Sequence, residues 1–272
     1  MKKIFAALFV LVLAFPLSAL AGTLSVKGSD TMVILAQRWA EEFMKKNSGI
    51  KVQVSGGGSG VGLAALINGT VEIATSSRSM KDTEEEKLKA RFNTPGVEIA
   101  VAKDGVTFYV SDKNAINSLT LDQLRSIYLG DITNWKQVGG PDSPIVLYSR
   151  ENSSGTYVFV KDNLLNGGDF AATAQTLPGT SAVVNAVSKE INGIGYGGAA
   201  YAKGVKELKI KVGAEEIGPS EANVKSGKYT LSRNLFFYLR NQPSGDAKTF
   251  IDFALSTEGQ QIVTKVGYFP VK

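Results

Sequence analysis

The chain has 272 residues, 43% of them hydrophobic and 20% charged, enough apolar material for one large domain or two modest ones and too much for a disordered chain. It contains no histidine and no cysteine, which excludes imidazole general bases, Ser-His-Asp triads, thiolate nucleophiles, disulfides and the usual zinc sites. Its formal charge of +5 includes Lys2 and Lys3, and the small excess left without them suits either an anionic small ligand or ordinary solubility.

Residues 1–21 read as a secretory signal peptide: Lys2 and Lys3, an apolar run from Ile4 to Phe15, Pro16, and the small-residue site Ala19-Leu20-Ala21. The run is shorter than the roughly 20 residues of a spanning helix, and Pro16 interrupts it. A mature chain starting at Gly22, with no cysteine there to carry a lipid, is expected to be soluble in the periplasm.

From Gly22 the pattern predicts a strand over 23–28 and a helix from Thr31 to Lys46, whose Val33, Ala36, Trp39, Ala40 and Phe43 share one face. A strand over 50–58 runs into glycines and a helix over 61–69, closed by Gly69; a strand over 70–78 precedes a charged helix from Thr83 to Phe92. Two long strands in succession are expected within 95–112. Then come a helix over 120–130, a turn over 134–144, a strand over 145–150 and a helix over 156–165. Glycine-rich residues 192–202 end a strand, 210–212 form a short one, 234–241 a long one, and a single helix covers 247–267.

Strand, turn and helix in repetition mean an α/β fold, with mostly parallel sheets flanked by helices. One strand-helix regime is entered near Val106 and left near Leu235, so the chain is expected to cross twice between two domains: residues 22–106 plus 233–272, and residues 107–232. A ligand would sit in the cleft between them. The run "KDTEEEKLKAR" reads as a solvated helix face, and no basic-aromatic stripe suggests a nucleic-acid partner.

Four turns share one design, in which a strand ends, small hydroxylated residues or glycines follow, and a helix begins. They are "KGSDTM" with Ser29, Asp30 and Thr31, "SGGGSGVG" with Ser59, "TSSRSM" with Ser77 and Arg78, and "RENSSGT" with Arg150, Ser154, Gly155 and Thr156. Singly, each is accounted for by ordinary helix capping. Together, several helix N-termini opening on one cleft would make an anion site, with hydroxyl donors and the paired N–H groups of Arg78 and Arg150 matching a tetrahedral oxyanion. "GGGSGVG" fits neither a dinucleotide-binding nor a P-loop fingerprint. Trp39 and Trp135 read as core or turn anchors.

The segments "KGSDTMVILAQRWAEEF", "VSGGGSGVGLAAL", "IATSSRSM", "LRSIYLGDITNWKQVGG" and "RENSSGTYVF", in this order, resemble the periplasmic phosphate-binding proteins of Pst-type ABC importers over essentially the whole mature chain. The resemblance implies a type II-like periplasmic binding protein fold with a two-strand hinge. It also implies capture of dehydrated inorganic phosphate between the domains, delivery to a membrane ABC permease, a monomer, and neither cofactor nor metal. It assigns ligand contacts to Ser59, Arg150, Ser154, Gly155 and Thr156, and in the first loop to either Asp30 with Thr31 or Thr31 with Met32. Family members carry an aspartate in the third loop that accepts the phosphate proton, whereas Ser77 stands here. Asp30 is the expected substitute acceptor, or else a helix N-cap. A receptor for sulfate, molybdate or tungstate, a secreted phosphatase, and a sensory protein are the competing functions.

Overall fold

A computed structural model describes residues 22–271, so the expected signal peptide lies outside the described residues. Strand β1 (Thr23–Gly28) leads through a 3-10 turn at Asp30–Met32 into helix α1 (Val33–Lys46), which buries Leu35, Ala36, Trp39, Ala40 and Phe43. Next come β2 (Lys51–Ser55), α2 (Ser59–Ile67), β3 (Ile73–Ser76) and α3 (Asp82–Phe92). β1 pairs in parallel with both β2 and β3, so the loops that follow all three strands emerge at one end of the sheet.

The stretch expected to form two strands is one, β4 (Val97–Val110). Lys103-Asp104-Gly105 looks like a turn signal, but the backbone runs through it extended, because Asp104 is buried against Arg233 on the facing strand. After β4 come β5 (Ser118–Leu119), α4 (Leu121–Leu129), β6 (Val146–Arg150), α5 (Gly155–Asn163), β7 (Gln175–Leu177) and α6 (Thr180–Lys189). The turn before β6 holds Trp135, fully buried, with its indole N–H donating to Asn192 O at 3.0 Å.

β8 (Gly193–Gly198) is a fully buried strand. It is glycine-rich because α6 lies against it: a Cβ on Gly195 would stand 2.4 Å from Val183 Cγ1, and one on Gly197 2.6 Å from Thr180 Cγ2. α6 was not among the expected elements, although its buried Thr180, Val183 and Val187 recur at helical spacing. β9 (Lys206–Val212), β10 (Glu215–Ile217), α7 (Glu221–Lys225) and β11 (Ser232–Leu239) follow. The expected single C-terminal helix is two, α8 (Gly245–Leu255) and α9 (Thr257–Val266). Ser256 breaks it by taking extended angles and accepting Gly259 N–H at 3.1 Å as the cap of α9.

The main path of the sheet runs β2-β1-β3-β11-β4-β8-β6-β7, with β5, β9 and β10 to one side. β4 and β11 are antiparallel, and β4 pairs with β11 over its first part and with β8 and β9 over its second. Among the described residues, the buried apolar side chains of 24–102 and 235–268 cluster on one side of this crossing and those of 106–231 on the other; Ala200 and Phe269 are the exchanges between them.

Half-buried Glu207 on β9 has its carboxyl pushed up to about 7 by burial and, secondarily, by Asp104. Because the folded value exceeds the ordinary 4.5, the stability associated with the protonated acid is complete below about pH 4.5 and is lost as pH rises through about 7. Glu207→Gln should therefore match the parent at pH 4.5 and exceed it at pH 8 by about 1–2 kcal/mol, after allowing for solvent screening. Urea midpoints at the two pH values check this, and equal differences at both would refute it.

Candidate anion-binding site

Parallel pairing gathers the loops after β1, β2 and β3, and α5 brings the loop after β6 against them. In the first loop, Ser29 Oγ donates to Ser77 Oγ at 2.9 Å, and Thr31 Oγ1 lies 2.9 Å from Thr156 Oγ1 at the start of α5. Thr31 presents its hydroxyl here, while the Met32 N–H already donates to Ser29 O at 2.9 Å and the Met32 side chain is buried in the core. Ser59, the first residue of α2, accepts the Ser77 N–H at 3.0 Å, and its Oγ is 3.3 Å from Ser77 Oγ.

Gly155 sits directly on this serine cluster. A Cβ there would meet Ser59 Oγ at 2.3 Å and Ser77 Oγ at 2.6 Å, so only glycine admits this approach. Ser154 caps α5, its Oγ accepting Thr156 N–H at 3.2 Å and Tyr157 N–H at 3.3 Å. With its acceptor capacity taken by the cap, its own O–H proton remains to be donated. Capping and ligand binding are thus compatible at this residue.

Arg150, at the end of β6, is 1% exposed. Its Nη2 donates to Asp30 Oδ2 at 2.8 Å, Nη1 to Thr180 Oγ1 at 3.0 Å and Nε to Glu151 Oε2 at 3.2 Å. A guanidinium has five N–H protons, so these contacts leave one on each Nη, the paired geometry that an oxyanion takes. Because Arg150 already faces two carboxylates, attraction for a further anion has to come largely from oriented hydroxyls and helix N-termini.

Asp30 is not an N-cap: the 3-10 turn it opens has no side-chain capping bond. Its Oδ1 accepts Gly57 N–H at 2.8 Å and its Oδ2 accepts from Arg150, which leaves further lone pairs on both oxygens. The two halves also meet at the glycine-rich loop, where Gly60 N–H donates to Ser153 O at 2.9 Å and Ser153 Oγ to Gly57 O at 3.1 Å.

Arg78 makes no hydrogen bond to this group, although it lines one cleft with Ser77 and its Nε is buried without a partner. Its Nη1 and Nη2 each donate to Glu84 at 2.8 Å, and Nη1 also donates to Ser79 O at 2.9 Å. Glu84 is largely buried, which opposes its ionisation, yet its hydrogen bonds from Arg78 and the Lys81 backbone hold its carboxyl below the ordinary value. Glu84 stands in the first turn of α3, only six residues on, so the short sequence separation was the available clue.

Three participants went unnoticed in the sequence. Thr180 opens α6 and follows the same rule of a small hydroxylated residue at a helix start. Arg233 and Asp104 carry no local signal. They are register partners on β11 and β4, and the antiparallel pairing of β11 with β3 brings the start of β11 beside the carboxyl end of β3, where the loops gather. Arg233 Nη2 donates to Asp104 Oδ2 and to Thr156 Oγ1, both at 2.8 Å. Among the described residues no group of three or more metal-ligating side chains forms.

The model of the PBP superfamily domain matches residues 16–258. The phosphate-binding protein PstS of Pseudomonas aeruginosa is 33% identical, with 93% of this chain and 84% of that protein aligned; that of Borreliella burgdorferi is also 33% identical, over 91% and 90%. The chain belongs to the PstS family. A substrate-binding protein from Clostridium perfringens, crystallised with bound phosphate, superposes with a TM-score of 0.84 at 30% identity, covering 92% of this chain and all of that one. An ABC-type phosphate transport receptor from Vibrio cholerae reaches 0.72 at 29% identity, covering 90% and 99%. PstS membership accounts for the mixed α/β sheet.

Proposed function

We propose that this chain captures inorganic phosphate in the periplasm and delivers it to a membrane ABC permease, acting as a monomeric receptor and not as an enzyme. The observation that carries this reading is the convergence of Ser29, Thr31, Ser59 and Ser77 with Arg150, Ser154, Gly155 and Thr156 on one buried point. Residues 22–106 with 233–272 form one domain and residues 107–232 the other. β4 and β11 are the hinge, and the ligand's contacts with both domains favour the closed arrangement. The names and bound phosphate of the PstS relatives support this reading. Among the described residues no helix is long and apolar enough to cross a membrane.

Asp30 supplies the selectivity. Its remaining lone pairs accept the proton of hydrogen phosphate, while sulfate, which has no proton, meets only repulsion and an unmet hydrogen bond. Calorimetry of the anion-stripped mature chain with phosphate, sulfate, molybdate and arsenate tests the function; tighter binding of sulfate or molybdate than of phosphate would reassign the ligand. Asp30→Asn should lower the phosphate-to-sulfate affinity ratio by about tenfold or more. A variant that rejects sulfate as firmly as the parent removes Asp30 from that role.

A further inference from the structure

Arg233 and Asp104 form an ion pair with side chains 5% and 1% exposed, inside the pair of strands that joins the two halves. Such a pair contributes little net stability, since desolvating both charges offsets most of their attraction. The geometry here is also poor for a pair that serves stability alone. Arg233 Nε and Nη2 both donate to Asp104 Oδ2, at 3.2 and 2.8 Å, while Oδ1 and Arg233 Nη1 are buried without a partner. Burial pushes the Asp104 carboxyl up, and Arg233 opposes this. The guanidinium instead reaches past its carboxylate: Nη2 donates to Thr156 Oγ1 at 2.8 Å and to Thr31 Oγ1 at 3.4 Å, one hydroxyl from each half of the site. Its flat face lies 5.2 Å from the centre of the Phe159 ring. It also lines a cleft of about 400 Å³ that shares Ser77 with the serine cluster.

Proton counting gives this contact a consequence. Each threonine hydroxyl has one proton and two acceptor positions, and arginine only donates. Nη2 has two protons, one for Asp104 and one for Thr156 Oγ1, and the 3.4 Å approach to Thr31 Oγ1 only shares the latter; with Thr31 donating to Thr156 across their 2.9 Å contact, both acceptor positions of Thr156 are filled. The Thr156 hydroxyl proton is then left over and available to an acceptor at the site. Without the guanidinium, the pair could turn lone pairs towards an incoming anion.

We infer that Arg233, held by Asp104, is a positioning residue of the anion site that fixes the Thr31–Thr156 pair as a proton donor towards the ligand. This rests on the phosphate-receptor reading. The guanidinium sets the polarity of the hydroxyl pair and anchors it to the crossing strands, so that both halves present donors to the same anion.

Phosphate titration by calorimetry tests it, with thermal unfolding followed in parallel. The variants are Arg233→Lys, the charge-free pair Asp104→Asn/Arg233→Gln, Thr156→Val, and Thr156→Val combined with the charge-free pair. The charge-free pair leaves no unpaired buried charge and should fold. It should bind phosphate about tenfold more weakly or worse. Arg233→Lys keeps a partner for Asp104 but lacks the planar fork that serves Asp104 and Thr156 together, and should show a similar loss even if the charge-free pair fails to fold. Adding the charge-free pair to Thr156→Val should cost little more than Thr156→Val alone, because both act through one hydroxyl. Phosphate affinity within twofold of the parent in a folded charge-free or Arg233→Lys variant, or additive losses in the cycle, would overturn the inference. A parent that takes up no phosphate sinks the receptor reading itself, which is a distinct result.

Discussion

Gly155→Ala is expected to weaken phosphate binding by about 10- to 100-fold, the equivalent of the 1–3 kcal/mol that overpacking costs, without lowering the unfolding midpoint. The two readouts separate because the added methyl acts in different places. Within α5 alanine is the better residue, and Gly155 does not have the positive φ that would forbid it. Across the site the same methyl falls 2.3 Å from Ser59 Oγ and 2.6 Å from Ser77 Oγ. Ser59 Oγ is held by the Ser77 N–H and its Cβ is only 3.1 Å away, so rotation alone cannot clear the space. Either the serine hydroxyls leave their positions or the halves stay apart, and both outcomes remove ligand contacts. Calorimetry and a thermal melt on one preparation decide it; a variant that binds phosphate as tightly as the parent contradicts this account of Gly155.

The largest loss is expected from Arg150→Met, a fall in phosphate affinity of about a thousandfold or more, by analogy with the 3–5 kcal/mol cost of breaking a buried charge pair. The substitution removes two N–H donors available to the ligand. It also leaves the Asp30 and Glu151 carboxylates, previously bonded to Arg150, facing the phosphate. Arg150→Lys should recover only part of the loss, since a compact ammonium lacks the planar fork that reaches Asp30 and Thr180 from separate nitrogens and still offers paired N–H groups to an oxyanion. Combining Arg150→Met with Asp30→Asn should restore stability while affinity stays low. Recovery of affinity in that double variant would mean that charge balance, and not Arg150's donors, governs binding.

Much of the fold was legible because its signals are local. Trp39 and its neighbours repeat at helical spacing and are buried as that spacing predicts; Trp135 anchors its turn through Asn192. One misreading arose where a local signal was outvoted by a distant partner, another where a local cap was overlooked. Asp104-Gly105 looks like a turn until Arg233 pairs with the aspartate, and Ser256 looks like any polar helix residue until it caps α9. α6 escaped notice although Thr180, Val183 and Val187 stand at helical spacing and the β8 glycines it packs on follow within a few residues.

The site divides along the same line. Short-range chemistry in the sequence determined that four strands end in small hydroxylated residues and glycines followed by helices, and that the chain lacks the side chains for histidine or cysteine catalysis. Only the tertiary structure decided among the arginines. Arg78 and Arg150 look alike as strand-end cations, but the first turn of α3 places Glu84 against Arg78, whereas β6 delivers Arg150 to Asp30 and Thr180. Arg233 had no local mark at all, because its place follows from the antiparallel register of β11 with β3 and β4. A guanidinium binds an acceptor that is near in space; for Arg78 that acceptor is six residues away, but for Arg150 and Arg233 strand register and helix packing set the distance, which sequence separation does not encode.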